Sequence, residues 1–336
     1  MIFIPCYHPL KAVRTNNLVD GKKKIIFWKP GMDEQLVIND GCEILKIPCG
    51  QCVGCRLEYS RQWAVRCCLE AKQYKHNYFV TLTYDNEFVP LREHVKVNVD
   101  TGEVEDIETV MTLLPDDLKG FMKRLRTNMQ RESDHIGIRF FACGEYGPKN
   151  MRPHYHLILF NCPLPDLVFE RYSDGYTYYR SPLLEKTWKK GFVLVTDFSF
   201  ETAAYVARYM LKKHKGKDSG FYAERGIEPE FTRCSRKPGL ARAYLDENAD
   251  FIYNYDQVII TNGKGVPIRC KPPKYFDRIF DELSHTALED LKAGRKETAI
   301  HSMQNELSKT DLCEEEYLTV KENNKMLSIS SLKREL

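Results

Sequence analysis

Two runs of β-branched and aromatic residues, 138–145 and 154–160, flank a stretch of turn chemistry, Gly147-Pro148-Lys149-Asn150-Met151-Arg152-Pro153. Each run has the composition of a strand, and the Gly/Pro/Asn cluster between them forces the chain to reverse. An antiparallel hairpin is therefore built into the sequence. Side chains alternate faces along a strand. His154 and His156 thus share one face, and Tyr155 takes the other. With the turn centred near Lys149 and Asn150, Glu145 falls opposite His154, Tyr155 or His156. One carboxylate oxygen and two imidazole nitrogens are a donor set for a divalent ion such as Mg²⁺ or Mn²⁺, with coordination positions left open. The competing reading is two half-buried histidines and a surface acid at a turn; the position of Glu145 favours the ligand set.

Around this hairpin the sequence predicts further strands over 78–84 and 192–198. It predicts an amphipathic helix over 116–130, entered at Pro115, and a short helix over 182–188. Between 86 and 112 lies a long polar excursion with a turn at 99–102. A helix is expected over 201–213, where Tyr205 and Tyr209 stand at i and i+4, about 6 Å apart on one face. Arg208 and Lys212 share a neighbouring face, and no acidic residue occurs from Ala203 to Lys217. Packing on a core stripe would account for two such tyrosines. Beside a metal site, however, tyrosinate is a nucleophile for phosphate esters. The expected fold class is α/β (α+β): a ferredoxin-like or RNA-recognition-like antiparallel sheet with helices on one face.

Near the N-terminus, Cys49, Cys52 and Cys55 form two Cys-x-x-Cys steps that share a cysteine. Zinc takes four ligands in a tetrahedron. Cys6 or His8 could complete the set, as could Cys67 or Cys68. Buried free thiols are the competing reading, and an iron–sulfur cluster lacks a clear fourth ligand. A helix follows over 56–74; its Arg56, Arg61 and Arg66 read as a solvated face before they read as phosphate contacts. The charge is uneven. The 336 residues carry a net charge of +3, yet 281–336 holds twelve acids against eight bases, so the preceding part is the more basic and suits a polyanionic partner. These features divide the chain into a Cys-rich segment (1–75), a central catalytic core (76–217), a basic extension (218–280) and a charged helical tail (281–336).

Several classes are disfavoured. No run approaches the ~20 apolar residues of a membrane span. The first five residues lack the basic and apolar regions of a signal peptide, so a cytoplasmic location is expected. There is no Gly-x-x-x-x-Gly-Lys-Ser/Thr loop, and hence no sign of a helicase motor.

The strand 78–84, the pair His154/His156 with Glu145, and the helix Tyr205-Val206-Ala207-Arg208-Tyr209-Met210-Leu211-Lys212 occur in the order of the motifs of HUH endonucleases, which this chain resembles. It is similar in particular to the rolling-circle replication initiators of Microviridae, and most of all to the gokushovirus and chlamydial phage branch. The segments Cys6-Tyr7-His8-Pro9-Leu10, Pro48-Cys49-Gly50-Gln51-Cys52-Val53-Gly54-Cys55-Arg56 and Ser235-Arg236-Lys237-Pro238-Gly239 carry that likeness. One departure is Tyr155, where the family has a bulky apolar residue; its face points to packing.

The resemblance implies a nickase that cuts the viral strand of the double-stranded replicative form at the origin and stays linked to the 5′ phosphate through tyrosine. It leaves a 3′ hydroxyl for host polymerase, then cleaves and rejoins the displaced strand into a circle. Tyr205 and Tyr209 would attack, with Lys212 assisting, and Glu145, His154 and His156 would hold Mg²⁺ or Mn²⁺. Cys6, Cys49, Cys52 and Cys55 would hold a structural zinc. Arg208, Lys213, Lys215, Lys217, Arg233, Arg236 and Lys237 are the candidate DNA contacts, with Phe221, Tyr222 and Phe231 available for stacking or, more simply, for the core. The implied partners are viral origin DNA, a host helicase and a host DNA polymerase, in the host bacterial cytoplasm. The alternatives are a relaxase or transposase of the same chemistry, and a non-catalytic nucleic-acid-binding module with a zinc knuckle.

Overall fold

The computed structural model describes residues 6–19, 22–98, 100–212 and 220–330; for Lys22 and for 208–212 it describes the backbone. The chain forms two compact units, one of Ser60–Leu291 and one of Ile2–Tyr59 with Lys292–Leu336. Among the described residues no helix is long and apolar enough to cross a membrane.

In chain order the elements begin with β1 (Leu10–Val19), β2 (Lys22–Phe27), α1 (Glu34–Asn39), β3 (Glu43–Ile47) and α2 (Val53–Ala71). They continue with β4 (Asn77–Thr83), β5 (Leu91–Val97), β6 (Val104–Met111), α3 (Pro115–Ser133), β7 (Arg139–Tyr146) and β8 (Pro153–Phe160). Next come β9 (Val168–Ser173), β10 (Tyr176–Arg180), α4 (Pro182–Trp188), β11 (Val193–Asp197) and α5 (Phe200–Lys212). The rest is α6 (Phe221–Glu224), β12 (Phe231–Cys234), α7 (Arg242–Tyr255), β13 (Val258–Thr261), β14 (Pro267–Cys270), α8 (Lys274–Leu283), α9 (His285–Leu307) and α10 (Glu314–Ser330).

The larger unit is built on a seven-stranded sheet in the order β12-β7-β8-β4-β11-β10-β9, each adjacent pair antiparallel. At its centre, β4, α3, β7, β8, α4 and β11 follow one another as β-α-β-β-α-β, and β4 lies between β8 and β11. The polar excursion between β4 and α3 is not structureless. Its β-prone residues pair as the separate hairpin β5–β6. The N-terminal three-stranded sheet, β2-β1-β3, was likewise not foreseen.

Strand alternation decides what covers each face of the large sheet. Val80 and Leu82 of β4, Ala142 of β7, Tyr155, Leu157 and Leu159 of β8, and Val193 and Val195 of β11 point into one core with α3 and α4. Helix α3 fits that role because Leu118, Phe121, Met122, Leu125 and Met129 recur at helical spacing and are buried together. Pro115 starts it, Asp116 and Asp117 complement its N-terminal dipole, and Asp134 closes it in the left-handed conformation at φ 50°. Arg124 then ties α3 to α4, donating to the Thr187 carbonyl at 2.8 Å.

Helices on a single face, the sequence expectation, describe only α3 and α4. The opposite face carries Phe79, Phe141, Ile158 and Phe160, all buried, and so needs its own cover. Helix α2 supplies Trp63, stacked on Phe141 at 4.8 Å, and Glu70, paired with Arg139. Helix α5 supplies Tyr205 against Phe79. Arg66 of α2 is not a solvated arginine either. It lies between the rings of Trp63 and Tyr275 and donates to the Leu240 carbonyl at 3.2 Å.

Tyr155 points into the α3 core, away from the histidines on either side of it. Its hydroxyl takes the Leu114 N–H at 3.2 Å, donates to the Leu114 carbonyl at 2.9 Å and meets the Tyr84 hydroxyl at 2.7 Å. Tyr84 in turn donates to Asp117 at 2.7 Å. Burial pushes the Tyr155 phenol up to about 12, so it stays protonated and serves as a tie between sheet and helix. Tyr155→Phe leaves the buried Leu114 groups and Tyr84 short of partners. It should cost about 1–3 kcal/mol in denaturant unfolding, with the circular dichroism of the native state unchanged.

Candidate metal centre and tyrosine helix

The register of three neighbouring strands assembles the site. Glu145 pairs with His154 across β7–β8, and His156 pairs with Cys143. On the other side His156 faces Thr81, and His154 faces Thr83, of β4. Glu145, His154, His156 and Thr81 therefore stand on one face of the sheet, opposite Tyr155.

Both imidazoles aim at a single carboxylate oxygen. His154 Nε2 lies 2.7 Å and His156 Nε2 3.1 Å from Glu145 Oε1. Glu145 and His156 are buried. The far ring nitrogens are held too, since His154 Nδ1 donates to the Arg152 carbonyl at 3.1 Å and His156 Nδ1 meets Thr81 Oγ1 at 3.0 Å. Because His154 Nδ1 carries the proton given to Arg152, a neutral ring presents the Nε2 lone pair to a carboxylate. Two acceptors at that distance need a cation, either a proton on the ring or a metal ion. Fixing the outer nitrogen and leaving the inner one to a positive charge is how histidine ligands are oriented at metal centres. The three ligand atoms lie within 4.8 Å of one another, and the group could hold a metal ion.

The electrostatics agree. Burial on its own raises the Glu145 carboxyl, but the hydrogen bonds and charge of His154 and His156 outweigh it and bring it down to about 2. Glu145 is thus an ionised carboxylate held by its two neighbours.

Helix α5 brings Tyr205 to the same place. Its ring packs edge-on to His156, centroids 5.4 Å apart, and against Phe79 at 5.9 Å. Phe79 also stacks on the other side of the group, 5.4 Å from the His156 ring. Tyr209 and Lys212 lie further along the same helix, as does Arg208; the side chains of these three lie outside the described residues, as do Lys213, Lys215 and Lys217 altogether.

The remaining candidates are placed apart. Arg233 on the edge strand β12 pairs with Ala142 and so sits on the α3 side of the sheet, over the ring of Phe231. Tyr222 and Phe231 belong to the α3 core, Tyr222 buried and Phe231 packed against it, with Phe221; the packing reading of these aromatics is the correct one. In Ser235-Arg236-Lys237-Pro238-Gly239 the small residues hold the loop. Ser235 exchanges hydrogen bonds with the Phe140 backbone, the Pro238 carbonyl accepts from Arg139 at 2.8 Å, and Gly239 lies so close to the Tyr275 hydroxyl that a Cβ would collide with it. Arg236 and Lys237 are left exposed.

In the smaller unit, Cys6 joins Cys49, Cys52 and Cys55, their sulfurs all within 4.8 Å of one another. This group could also bind a metal ion. His8 instead pairs with Glu322 at 2.5 Å, and Cys67 and Cys68 are buried in α2, so the alternatives to Cys6 as the fourth donor fall away. Thr81 and Phe79 went unnoticed in the sequence. Their alternation on β4 marks a shared face, but only the pairing of β4 with β8 makes that face the one with the histidines.

Comparison with known proteins falls on the same stretch. Residues 77–214, from β4 through α5, match the family described as replication-associated protein ORF2. The chain belongs to this family of phage replication-associated proteins. It is 39% identical over 280 residues to the replication-associated protein ORF2 of Spiroplasma virus 4, covering 80% of this chain and 79% of that protein. It is 27% identical over 279 residues to the replication-associated protein VP4 of Bdellovibrio phage phiMH2K, covering 81% and 75%. It is 33% identical over 174 residues to the replication-associated protein ORF4 of Chlamydia phage 1, covering 50% and 38%. No solved structure matches the chain.

The lowered Glu145 carboxyl has a measurable sign. Its folded value lies below the usual ~4.3 of an unfolded chain. In metal-free protein the resulting stabilisation is therefore full above that value and is lost as the pH falls towards about 2. It amounts to about 3 kcal/mol. Wild type and Glu145→Gln should differ in unfolding free energy at about pH 5 and converge towards about pH 2.5; a gap that stays constant with pH contradicts the assignment.

Proposed function

We propose that this protein is a rolling-circle replication initiator of the HUH type. In this reading it nicks the viral strand of the replicative form at the origin and rejoins the displaced strand after one round. The observation that carries it is the meeting of Glu145, His154 and His156 on one sheet face, with Tyr205 of α5 packed against His156. The β-α-β-β-α-β succession is that of a ferredoxin-like core, and membership of a replication-associated family supports viral DNA as the substrate.

The chemistry follows from what a phosphodiester demands. It offers no easily polarised carbonyl, so acceleration comes from positioning and from charge stabilisation. A divalent ion held by Glu145, His154 and His156, Mn²⁺ or Mg²⁺, supplies positive charge to the scissile phosphate. The protein residues do the rest. Thr81 and the Arg152 carbonyl hold the two imidazoles in orientation. The phenolic oxygen of Tyr205 or Tyr209 bonds to phosphorus and gives up its proton. The bond from phosphorus to the 3′ oxygen breaks, and that oxygen takes up a proton. Free tyrosine ionises near 10, so the attacking phenol needs a cation beside it, and Lys212 is the residue assigned to that task. A second tyrosine then cleaves the regenerated origin, and the new 3′ hydroxyl displaces the first phosphotyrosine to close the circle. Two transesterifications account for two tyrosines on one helix.

DNA contacts are assigned to Arg208, Lys213, Lys215 and Lys217 beyond the catalytic helix, and to Arg233, Arg236 and Lys237 beside β12. The absence of a nucleotide-triphosphate loop from the sequence leaves strand opening to a host helicase and synthesis to a host polymerase.

The test is incubation with single-stranded origin DNA and Mn²⁺ or Mg²⁺, followed by denaturing electrophoresis. A metal-dependent covalent adduct is expected; its absence over a range of origin sequences would favour a non-catalytic binding module. Tyr205→Phe and Tyr209→Phe should each keep part of the cleavage, and the double variant should form no adduct. Arg236→Ala with Lys237→Ala should weaken DNA binding several-fold and make its dependence on salt shallower, without loss of cleavage at saturating DNA.

A further inference from the structure

We propose that Cys6, Cys49, Cys52 and Cys55 form a tetrathiolate zinc centre whose task is to fold the smaller unit, binding the N-terminal segment to the C-terminal helices. The inference is independent of the strand-transfer reading, because no residue of that reading takes part.

The geometry suits one ion. Zn–S bonds of about 2.3 Å in a tetrahedron place the sulfurs about 3.8 Å apart, and Cys52 Sγ lies 3.9 Å from Cys6 Sγ. A disulfide would need about 2.05 Å, and all four cysteines are free thiols. A cluster of several irons holds its cysteines on different metal atoms and so keeps them further apart than this compact group.

The backbone is already arranged for thiolates. Cys49 Sγ accepts the N–H groups of Gln51 and Cys52 at 3.4 and 3.3 Å. Cys52 Sγ accepts those of Cys55 and Tyr7, each at 3.4 Å. Cys6 Sγ accepts that of Cys49 at 3.2 Å. Gly50, at φ +74°, makes the turn that lets the first Cys-x-x-Cys step curl its amides onto a sulfur. On binding, four Zn–S bonds form and the thiol protons pass to solvent. These N–H groups then offset the net negative charge of the centre.

The need for the ion comes from how little else is buried. Among the described residues of this unit the buried apolar side chains are Tyr7, Ala12, Val13, Cys52 and Leu318. The cluster that reaches α10 consists of Tyr7, Cys52 and Leu318, with Cys6, Cys49, Val53, Cys55 and Met303 around it. The candidate ligands are thus much of the core. The ties of α9 and α10 to the N-terminal segment otherwise run through exposed ion pairs, Lys46 with Glu314 at 2.7 Å and Lys296 with Glu43 at 2.8 Å, each of small worth. A unit with so small a core needs a staple, and a structural zinc supplies one.

The test uses the full chain purified without a His-tag. Elemental analysis should give about one zinc per chain, and a mercurial thiol reagent should release it as the thiols titrate. Cobalt substitution should give the visible bands and sulfur-to-metal charge transfer of a four-thiolate site. Glu145→Gln should keep the zinc, and Cys52→Ser should lose it. If the cysteine variant does not fold, stripping wild type with a chelator serves instead. Cleavage by trypsin after Lys309, between α9 and α10, should then accelerate at least about tenfold and return to its former rate when zinc is restored. Zinc far below one per chain, bound iron with its colour, or proteolysis indifferent to metal would each overturn the proposal.

Discussion

Glu145 faces His154 across the β7–β8 hairpin, and the rest of the candidate centre follows from that pairing. Strand periodicity is two, so a slip of one residue would turn both histidines into the α3 core and Tyr155 out of it. The register is held from the far side of the sheet. Tyr155 is anchored to the backbone of Leu114 and, through Tyr84, to Asp117 on α3. The polar chemistry on one face therefore rests on a buried hydrogen-bonded chain on the other. A buried polar network of this kind specifies one arrangement because every alternative leaves its members unpaired.

Much of this was legible before any coordinates. The turn residues 147–153 and the alternation of 154–160 locate the hairpin, and Glu145 falls where its length requires. The helix α3 announces itself by Pro115 and by apolar spacing. What escaped has common causes. Cover on both faces of the sheet was missed because Phe79, Phe141 and Phe160 read as ordinary strand aromatics until their neighbours are known. Thr81 became a partner of His156 only when β4 was seen to lie next to β8, a long-range pairing that local composition does not encode. The strands of β5–β6 are short and largely exposed, so they lack the in-out alternation that marks a half-buried strand. Arg66 read as solvated because its aromatic partner, Tyr275, is some two hundred residues away in sequence.

The two candidate metal groups differ in kind. Glu145, His154 and His156 offer mixed nitrogen and oxygen donors on a rigid sheet, in a unit with an ample core of its own. Four cysteine sulfurs close around a single point and leave no donor position open. One set suits an ion that must accept a further ligand, and the other suits an ion that must not.

The smaller unit joins segments far apart in the chain, with His8 reaching Glu322 across a separation of 314 residues. During synthesis the cysteine segment emerges long before its partner α10. The larger unit, made of the intervening residues, can complete itself while the segment still waits for that partner. Through that interval the four thiols stand without the helix that later covers them. The order of translation thus gives a metal ion access to the cysteines before the unit closes. It also makes the arrival of α10, and not the pairing of the early strands, the step at which the smaller unit becomes whole.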